Sequence, residues 1–222
     1  MDPTLPDKVG RVQAKRKLIL VLAMLTLSAV VVLHSMTTII GIDPGLAHCG
    51  IARLVWSSGL RAWHVHSVVV LETLASKGAT IGDRLREHAG DLWPYLTWDG
   101  GDLLQAPVAD YVIAEYPSFP PSAAAAAMLF ASFGAISAYA GDRLVTYATP
   151  TWRRALGLDA RAEKKMRKRD VREAMEKRWG ALPGLADIVT GCHEHAYDAL
   201  GVATAWIDAP RLGKYAEGKE PK

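Results

Sequence analysis

The order of strand-like and helix-like segments between residues 37 and 206 most restricts the fold of this chain. Three apolar, β-branched segments come first, within residues 37–72, and short turns join them. Helical patterns then alternate with two further strand segments, 109–115 and 143–148. Short turns pair strands antiparallel and helical crossovers pair them parallel. We therefore predict an α/β fold with a mixed five-stranded sheet, three antiparallel strands then two parallel ones, and helices on both faces.

Composition and cysteine count exclude several classes of protein. The chain has 222 residues, of which 50% are apolar and 22% charged, as in globular proteins rather than disordered or fibrous ones. Its two cysteines, Cys49 and Cys192, are too few for a disulfide-stapled scaffold or a four-cysteine zinc module. Cys192 precedes His193, a pair that suggests a soft-metal site. Without a second Cys–His pair, we do not predict one.

The first 35 residues differ from the rest of the chain. Three basic residues, 15–17, precede the uncharged run 18–33. As a helix this run measures about 24 Å, short of the roughly 30 Å hydrocarbon core of a bilayer. Met36 stands directly before the first strand segment. Residues 1–35 are therefore an upstream or non-native extension before a start at Met36, a membrane anchor, or a cleaved targeting peptide, and hydropathy alone does not decide among these.

Acidic residues recur where strand segments end. Asp43 directly follows the first segment and Glu115 ends the fourth, so both project from one sheet edge if these strands are neighbours. Asp198 lies in the last helix with His195 three residues earlier, and such positions share a helix face. Carboxylates that converge in this way repel one another without a cation, and hard oxygen ligands favour Mg²⁺ or Mn²⁺. Glu194 is an alternative fourth ligand.

Taken singly, each of these residues has an ordinary explanation. Asp43 fits a simple turn, Glu115 a solvated strand end, and His195 a surface or core histidine. Asp198 is less ordinary, because an acid among small apolar neighbours needs a partner. The order of all four residues along the chain favours a shared site.

Three motifs around these residues resemble those of RuvC-type Holliday-junction resolvases, in the ribonuclease H-like, retroviral-integrase superfamily. The segment 40–45, IGIDPG, with Gly50-Ile51-Ala52, resembles the first hairpin of that family. Residues 113–117, IAEYP, resemble its second acidic motif. Residues 195–203, HAYDALGVA, resemble its last helix, in which a His or Asp precedes the catalytic Asp by three residues. Order and spacing agree over residues 37–206, and the chain is most similar to phage or bacterial members.

The resemblance implies both an activity and a site. It implies a metal-dependent, structure-selective DNA endonuclease that resolves four-way junctions by paired phosphodiester hydrolysis, leaving 5′-phosphate and 3′-hydroxyl ends. The implied cofactors are two Mg²⁺ ions per site, with Mn²⁺ as a substitute. The implied ligands and catalytic residues are Asp43, Glu115, His195 and Asp198. A homodimer acting on cytoplasmic DNA in recombination and repair is also implied, with membrane anchoring through residues 18–33 as an alternative.

Together with the hydrophobic N-terminal run and the polar C-terminal residues, the resemblance predicts a division of the chain. Residues 36–208 are predicted to form the ribonuclease H-like nuclease domain. An N-terminal extension, 1–35, precedes it, and a polar tail, 209–222, follows it.

A basic segment follows the fifth strand segment. Residues 151–180 carry 11 basic and 5 acidic side chains, whereas residues 36–150 carry 6 and 10. Such a run favours phosphate binding, although a solvated helix face is the ordinary alternative. The predicted DNA contacts are Arg153, Arg154, Arg161, Lys164, Lys165, Arg167, Lys168 and Arg169. The family resemblance implies that one lysine, Lys164 or Lys165, approaches the scissile phosphate.

Two further features relate to the substrate. Phe119 resembles, with a displacement of one position, an aromatic residue that in bacterial resolvases stacks on a base to open the junction; core packing is the alternative. The helical segment 123–140 is rich in small residues and carries more apolar surface than one face needs. A junction has near-twofold symmetry, which a homodimer matches.

Two other functions stay open at this point. The chain could be a related ribonuclease H-like nuclease that acts on other branched DNA or RNA. It could also be a non-catalytic, membrane-tethered DNA-binding protein, although the intact acidic positions argue against that interpretation.

Overall fold

The computed structural model describes residues 37–73, 79–96, 109–117, 122–158 and 168–209. The strands in these ranges are β1 Thr38–Asp43, β2 His48–Ser57, β3 Ala62–Glu72, β4 Tyr111–Tyr116 and β5 Leu144–Ala148. The helices are α1 Ile81–Leu96, α2 Ala123–Ala140, α3 Thr149–Ala155, α4 Lys168–Trp179 and α5 His193–Asp208. Short 3₁₀ turns lie at Gly141–Arg143, Leu185–Asp187 and Thr190–Cys192.

The strands form one five-stranded sheet in the order β3-β2-β1-β4-β5. β1 pairs antiparallel with β2 and parallel with β4, and β4 pairs parallel with β5. The predicted mixed α/β sheet is therefore confirmed, with strand ends that differ from the predicted ones by one or two residues. The central strand β1 is a nearly continuous apolar run because both of its faces are covered.

Successive residues of β1 belong to two separate cores, as expected for side chains that alternate across a sheet. Ile39 lies in a cluster with Trp152 of α3, Met175 of α4 and Leu200 of α5. Ile40 and Ile42 lie in a second cluster, with side chains of α1 and α2 such as Leu92 and Ile136. Helices therefore cover both faces of the sheet, α3–α5 on one and α1–α2 on the other.

Helix α2 is apolar yet poorly covered. Within the described residues, the stretch Ala123–Arg143 is long and apolar enough to cross a membrane, and 17% of an 18-residue window within it is buried. Length and composition alone are weak evidence for such a span. The helix packs on α1 and buries Ser132, Ile136 and Ala140, so it forms part of the second helical layer.

Residues Ser57–Ala62 run from the last residue of β2 to the first of β3 and belong to a different compact unit from the other described residues. Inside it, the Leu60 amide donates a hydrogen bond to Ser57 Oγ at 3.3 Å, and Arg61 takes a left-handed φ of 49°. Residues 1–35 and, apart from Ala209, the polar tail lie outside the described residues. The division of the chain into extension, domain and tail stays a prediction.

Candidate active site at the sheet edge

Sheet register brings the first two predicted carboxylates together. In the parallel pair of β1 and β4, Ile42 lies opposite Ala114. The next residue on each strand is acidic, Asp43 on β1 and Glu115 on β4. Both carboxylates therefore lie at the same edge of the sheet, on adjacent strands, as the sequence predicts.

Glycines let α5 approach this edge closely. A Cβ atom on Gly41 would lie 2.1 Å from the carbonyl oxygen of Ala199, and one on Gly50 would lie 1.9 Å from that of His195. Any side chain at either position would push the helix away from the sheet. The glycines in the IGIDPG and GIA motifs thus bring His195 and the rest of the first two turns of α5 to the end of β1.

His195 and Asp43 are in direct contact. His195 Nδ1 lies 2.7 Å from Asp43 Oδ2, so Nδ1–H donates to the carboxylate. In the neutral imidazole this bond leaves the lone pair on Nε2, which can accept a proton or bind a metal ion. The ring of His195 also stacks on that of His48, with centroids 5.6 Å apart and planes 22° apart.

Glu115 is held by two donors from the start of α3. Thr149 Oγ1 donates to one carboxylate oxygen, and Trp152 Nε1 donates to the other at 2.9 Å. Burial, followed by the negative charge of Asp43, raises the pKa of Glu115 despite these donors and the nearby Arg153. The ionised carboxylate is therefore fixed in position but short of positive charge.

Asp198 lies one helical turn after His195 and contacts a cation. Arg153 of α3 approaches its carboxylate at 3.9 Å and also lies 5.0 Å from the centre of the Trp152 ring. Arg153 Nε is buried and has no hydrogen-bond partner among the described residues. Because a buried donor without a partner is costly, this N–H suits an anionic ligand.

The donor set of this edge fits hard divalent cations. Carboxylates from β1, β4 and α5 would supply oxygen ligands, with one imidazole beside them. Among the described residues, no three of these four side chains bring their ligand atoms within 4.8 Å of one another, so a bound cation would have to draw them together. Burial and the negative charge of Asp43 raise the pKa of Glu115, so positive charge is lacking near these two carboxylates. A bound cation would supply it. A metal would favour the ionised form of Glu115 and offset the repulsion.

The predicted DNA-contact residues fall into three groups. Arg154 is exposed at the end of α3, whereas Arg153 lies inside the acidic site. Arg169 of α4 is exposed and forms an ion pair with Glu173 at 2.7 Å. Lys168 begins α4. The others lie outside the described residues: Phe119, Arg161, Lys164, Lys165 and Arg167.

Sequence reasoning missed the residues that support Glu115. Thr149 directly follows β5, which is parallel to β4, and Trp152 lies in the first turn of the helix that begins there, so both reach the same sheet edge as Glu115. The parallel pairing of β4 and β5 could have predicted this contact, since a residue just after a strand parallel to β4 can reach the same edge. Trp152 is fully buried, and a Cβ on Gly201 of α5 would lie 2.8 Å from its ring.

A second group of ligand-type side chains lies next to the acidic site. His48, Glu72 and Cys192 each place one ligand atom within 4.8 Å of the other two. They come from the start of β2, the end of β3 and the turn before α5. This trio was not predicted, because its members are far apart in sequence.

Comparison with known proteins identifies the fold. No protein-family model matches the sequence, and no curated protein matches it significantly. The structure of Thermus thermophilus RuvC in complex with Holliday junction substrate is similar, with a TM-score of 0.56 at 18% identity, over 80% of this chain and 97% of that one. The yeast mitochondrial Holliday junction resolvase Ydc2 matches with a TM-score of 0.50 at 10% identity, over 81% and 83%. This chain therefore has the ribonuclease H-like fold of the RuvC-type Holliday-junction resolvases, as the three sequence motifs predict.

Proposed function

We propose that this protein is a divalent-metal-dependent endonuclease that resolves four-way DNA junctions by paired phosphodiester hydrolysis. The observation that carries the proposal is the meeting of Asp43, Glu115 and the first turns of α5 at one sheet edge. The fold shared with T. thermophilus RuvC, solved with a Holliday junction substrate, supports it.

Asp43, Glu115 and Asp198 would hold two Mg²⁺ ions through oxygen, with His195 as the nitrogen ligand or positioning group. Bound there, the cations would neutralise the acidic cluster, lower the pKa of a water molecule and stabilise the leaving oxygen, and Mn²⁺ would substitute. The products would carry 5′-phosphate and 3′-hydroxyl ends.

His195 would accept or donate a proton at its Nε2 atom. Its Nδ1–H is committed to Asp43, so Nε2 is the atom that exchanges a proton or contacts a metal ion. The carboxylate also fixes the plane of the ring, because the donor–acceptor distance is 2.7 Å. This arrangement lets His195 orient the attacking group without moving.

Arg153 would bind the phosphate that is cut. Its guanidinium lies beside Asp198 and close enough to Glu115 to lower that group's pKa, and its buried Nε–H is unsatisfied among the described residues. A phosphate oxygen would satisfy this donor and is the ligand that a guanidinium recognises best. The basic segment would extend the contact along the DNA, with Lys164 or Lys165 near the scissile phosphate and Phe119 at the junction.

Two cuts on a near-twofold substrate would require two sites. The exposed apolar side of α2 would form the interface of a homodimer acting on DNA in the cytoplasm. In this proposal, anchoring through residues 18–33 is the alternative location.

The decisive experiment is cleavage of a synthetic mobile four-way junction with and without Mg²⁺. We expect paired, symmetric nicks in Mg²⁺ and none in a chelator. Asp43→Asn should keep junction binding and lower the cleavage rate by at least about 10³-fold, because it removes an anionic ligand from the reaction site. Cleavage by this variant at the wild-type rate would refute the site.

Asp110→Asn is the matched control. Asp110 stands just before β4, at its opposite end, and accepts a hydrogen bond from the Thr38 amide at 2.7 Å. The same chemical change there should leave cleavage intact. A parallel digest of three-way, flap and RNA–DNA hybrid substrates tests the choice of substrate, and preferred cutting of any of these over the junction would overturn the junction assignment.

A further inference from the structure

We propose that His48, Glu72 and Cys192 form a second metal site, specific for Zn²⁺ or a similarly soft divalent cation, and distinct from the acidic site. Sequence reasoning singled out only the Cys192–His193 pair, and that pair is not the site. His193 Nε2 instead lies 2.9 Å from the backbone carbonyl of Ile188.

Three separate elements converge on this point. His48 opens β2, Glu72 closes β3, and Cys192 ends the 3₁₀ turn before α5. The Thr73 amide donates to the Ala47 carbonyl at 3.0 Å, which fixes the backbone next to His48 and Glu72. The ligand positions are therefore set by the sheet rather than by flexible loops.

The distances suit a tetrahedral zinc ion. Cys192 Sγ and His48 Nδ1 are 3.4 Å apart. Zinc–sulfur and zinc–nitrogen bonds of about 2.3 and 2.0–2.1 Å at a tetrahedral angle place these two atoms about 3.5 Å apart. Three protein ligands leave a fourth position for water.

The chemistry of the ligands separates this site from the acidic one. One sulfur, one nitrogen and one oxygen favour Zn²⁺ over Mg²⁺, which prefers oxygen alone. Cys192 is 8% exposed.

The proposed ion would brace the neighbouring site. His48 stacks on His195, which donates to Asp43. A metal on Nδ1 of His48 would fix that ring and therefore the packing of His195. The same ion would tie the ends of β2 and β3 to the start of α5.

The test is metal content and metal affinity of the full chain, with added Zn²⁺ as the probe and excess Mg²⁺ present. We expect one Zn²⁺ per chain that Mg²⁺ does not displace. Cys192→Ala and His48→Gln should each weaken Zn²⁺ binding by more than about 100-fold, beyond the loss of an outer-shell partner. Equal Zn²⁺ affinity in Cys192→Ala and wild type would overturn the proposal.

Two control variants locate the ion. Cys49→Ala removes the other buried cysteine and should keep Zn²⁺. Asp43→Asn should also keep it, whatever its effect on DNA cleavage, so failure of the nuclease proposal and failure of the zinc proposal give different results. Loss of Zn²⁺ in Asp43→Asn would assign the ion to the acidic site instead.

Two measurements on the wild-type protein test the zinc site without any variant, so a folding defect in a variant does not affect them. Co²⁺ bound to the wild-type chain should show a thiolate-to-metal charge-transfer band, and a spectrum without that band would exclude Cys192 as a ligand. Zn²⁺ should also raise the wild-type unfolding temperature in proportion to the logarithm of its concentration; an unchanged temperature would count against the site.

Discussion

The two helical layers on this sheet differ in how closely they pack against their surroundings. α5 lies so close to β1 that glycine is required at the contact, and nine of its residues, Ala196, Tyr197 and Ala199–Ala205, are buried. α2 is of similar length but buries only Ser132, Ile136 and Ala140. The layer that holds the candidate site is therefore tightly constrained, whereas the other leaves apolar side chains on its outer surface.

This difference matches how accurately each layer has to place its side chains. Carboxylates that share metal ions must be placed within a fraction of an ångström, and close backbone packing provides that. The outer surface of α2, which we propose binds a second subunit, would need only complementary shape and apolar character. Phe130 is 40% exposed and Trp93 is 52% exposed on the α1–α2 side.

The largest effect should come from adding one methyl group to the tightly packed layer. Gly41→Ala should lower the free energy of unfolding by about 3 kcal/mol, because the new Cβ would meet the Ala199 carbonyl oxygen at 2.1 Å. Gly134→Ala in α2 should instead raise it by about 0.5–1 kcal/mol, since nothing lies within 4 Å of the new Cβ. Urea unfolding of both variants measures the difference.

If the two alanine variants unfolded at the same urea concentration, the two layers would not differ in packing as described. Comparable activity of Gly41→Ala and wild type in the junction assay would likewise argue that the close approach of α5 is unnecessary for the site.

A smaller effect should appear as pH falls. His88 of α1 is fully buried between Thr73 Oγ1, at 3.3 Å, and Ser132 Oγ of α2, at 2.8 Å. Burial lowers the pKa of His88, so the unfolded chain binds a proton that the folded chain does not. Stability is therefore full above about pH 6.5 and falls below it, by at most about 1.4 kcal/mol per pH unit from this group.

His88→Gln keeps polar atoms for both hydroxyls and should reduce this dependence between pH 6.5 and 5.5, measured by urea unfolding at each pH. His64→Gln changes an exposed histidine of β3 and is the control. An unchanged slope in His88→Gln would mean that other groups cause the acid sensitivity.

Substitution on the outer face of α2 should have the smallest effect on the free energy of unfolding. It should nevertheless change the oligomeric state. Phe130→Glu should convert the proposed dimer to monomer, while the free energy of unfolding of the monomer changes by less than about 0.5 kcal/mol. Leu60→Glu alters a residue that is 76% exposed in the turn between β2 and β3, and should leave the dimer intact. Sedimentation analysis of both variants gives the mass, and a dimeric Phe130→Glu would place the interface elsewhere.

The sequence predicted the sheet well because the signals were local. Alternating strand and helix patterns gave the element order, and turn residues gave the antiparallel start. Asp43 and Glu115 could be placed at one edge because each lies at the end of a predicted strand segment, which requires no knowledge of distant packing. His195 and Asp198 followed from helical spacing and the family resemblance.

The parts that escaped prediction depend on contacts between distant segments. The ion pair of Arg153 with Asp198 was not predicted, because it depends on α3 beginning immediately after β5; the predicted DNA contact of Arg153 stays a prediction. Cys192 and His48 are 144 residues apart, and only the assembled sheet brings them together. Periodicity in a single sequence does not contain such information.

The register of β1 and β4 has a consequence for the spacing of reactive groups. Neighbouring strands lie about 4.8 Å apart, a distance fixed by backbone hydrogen bonds and independent of side-chain identity. Two cations in a phosphoryl-transfer site lie about 3.5–4 Å apart. Because Asp43 and Glu115 lie on two adjacent strands, the inter-strand spacing sets the distance between their backbones. Insertions in the surrounding loops would therefore leave the separation of Asp43 and Glu115 unchanged.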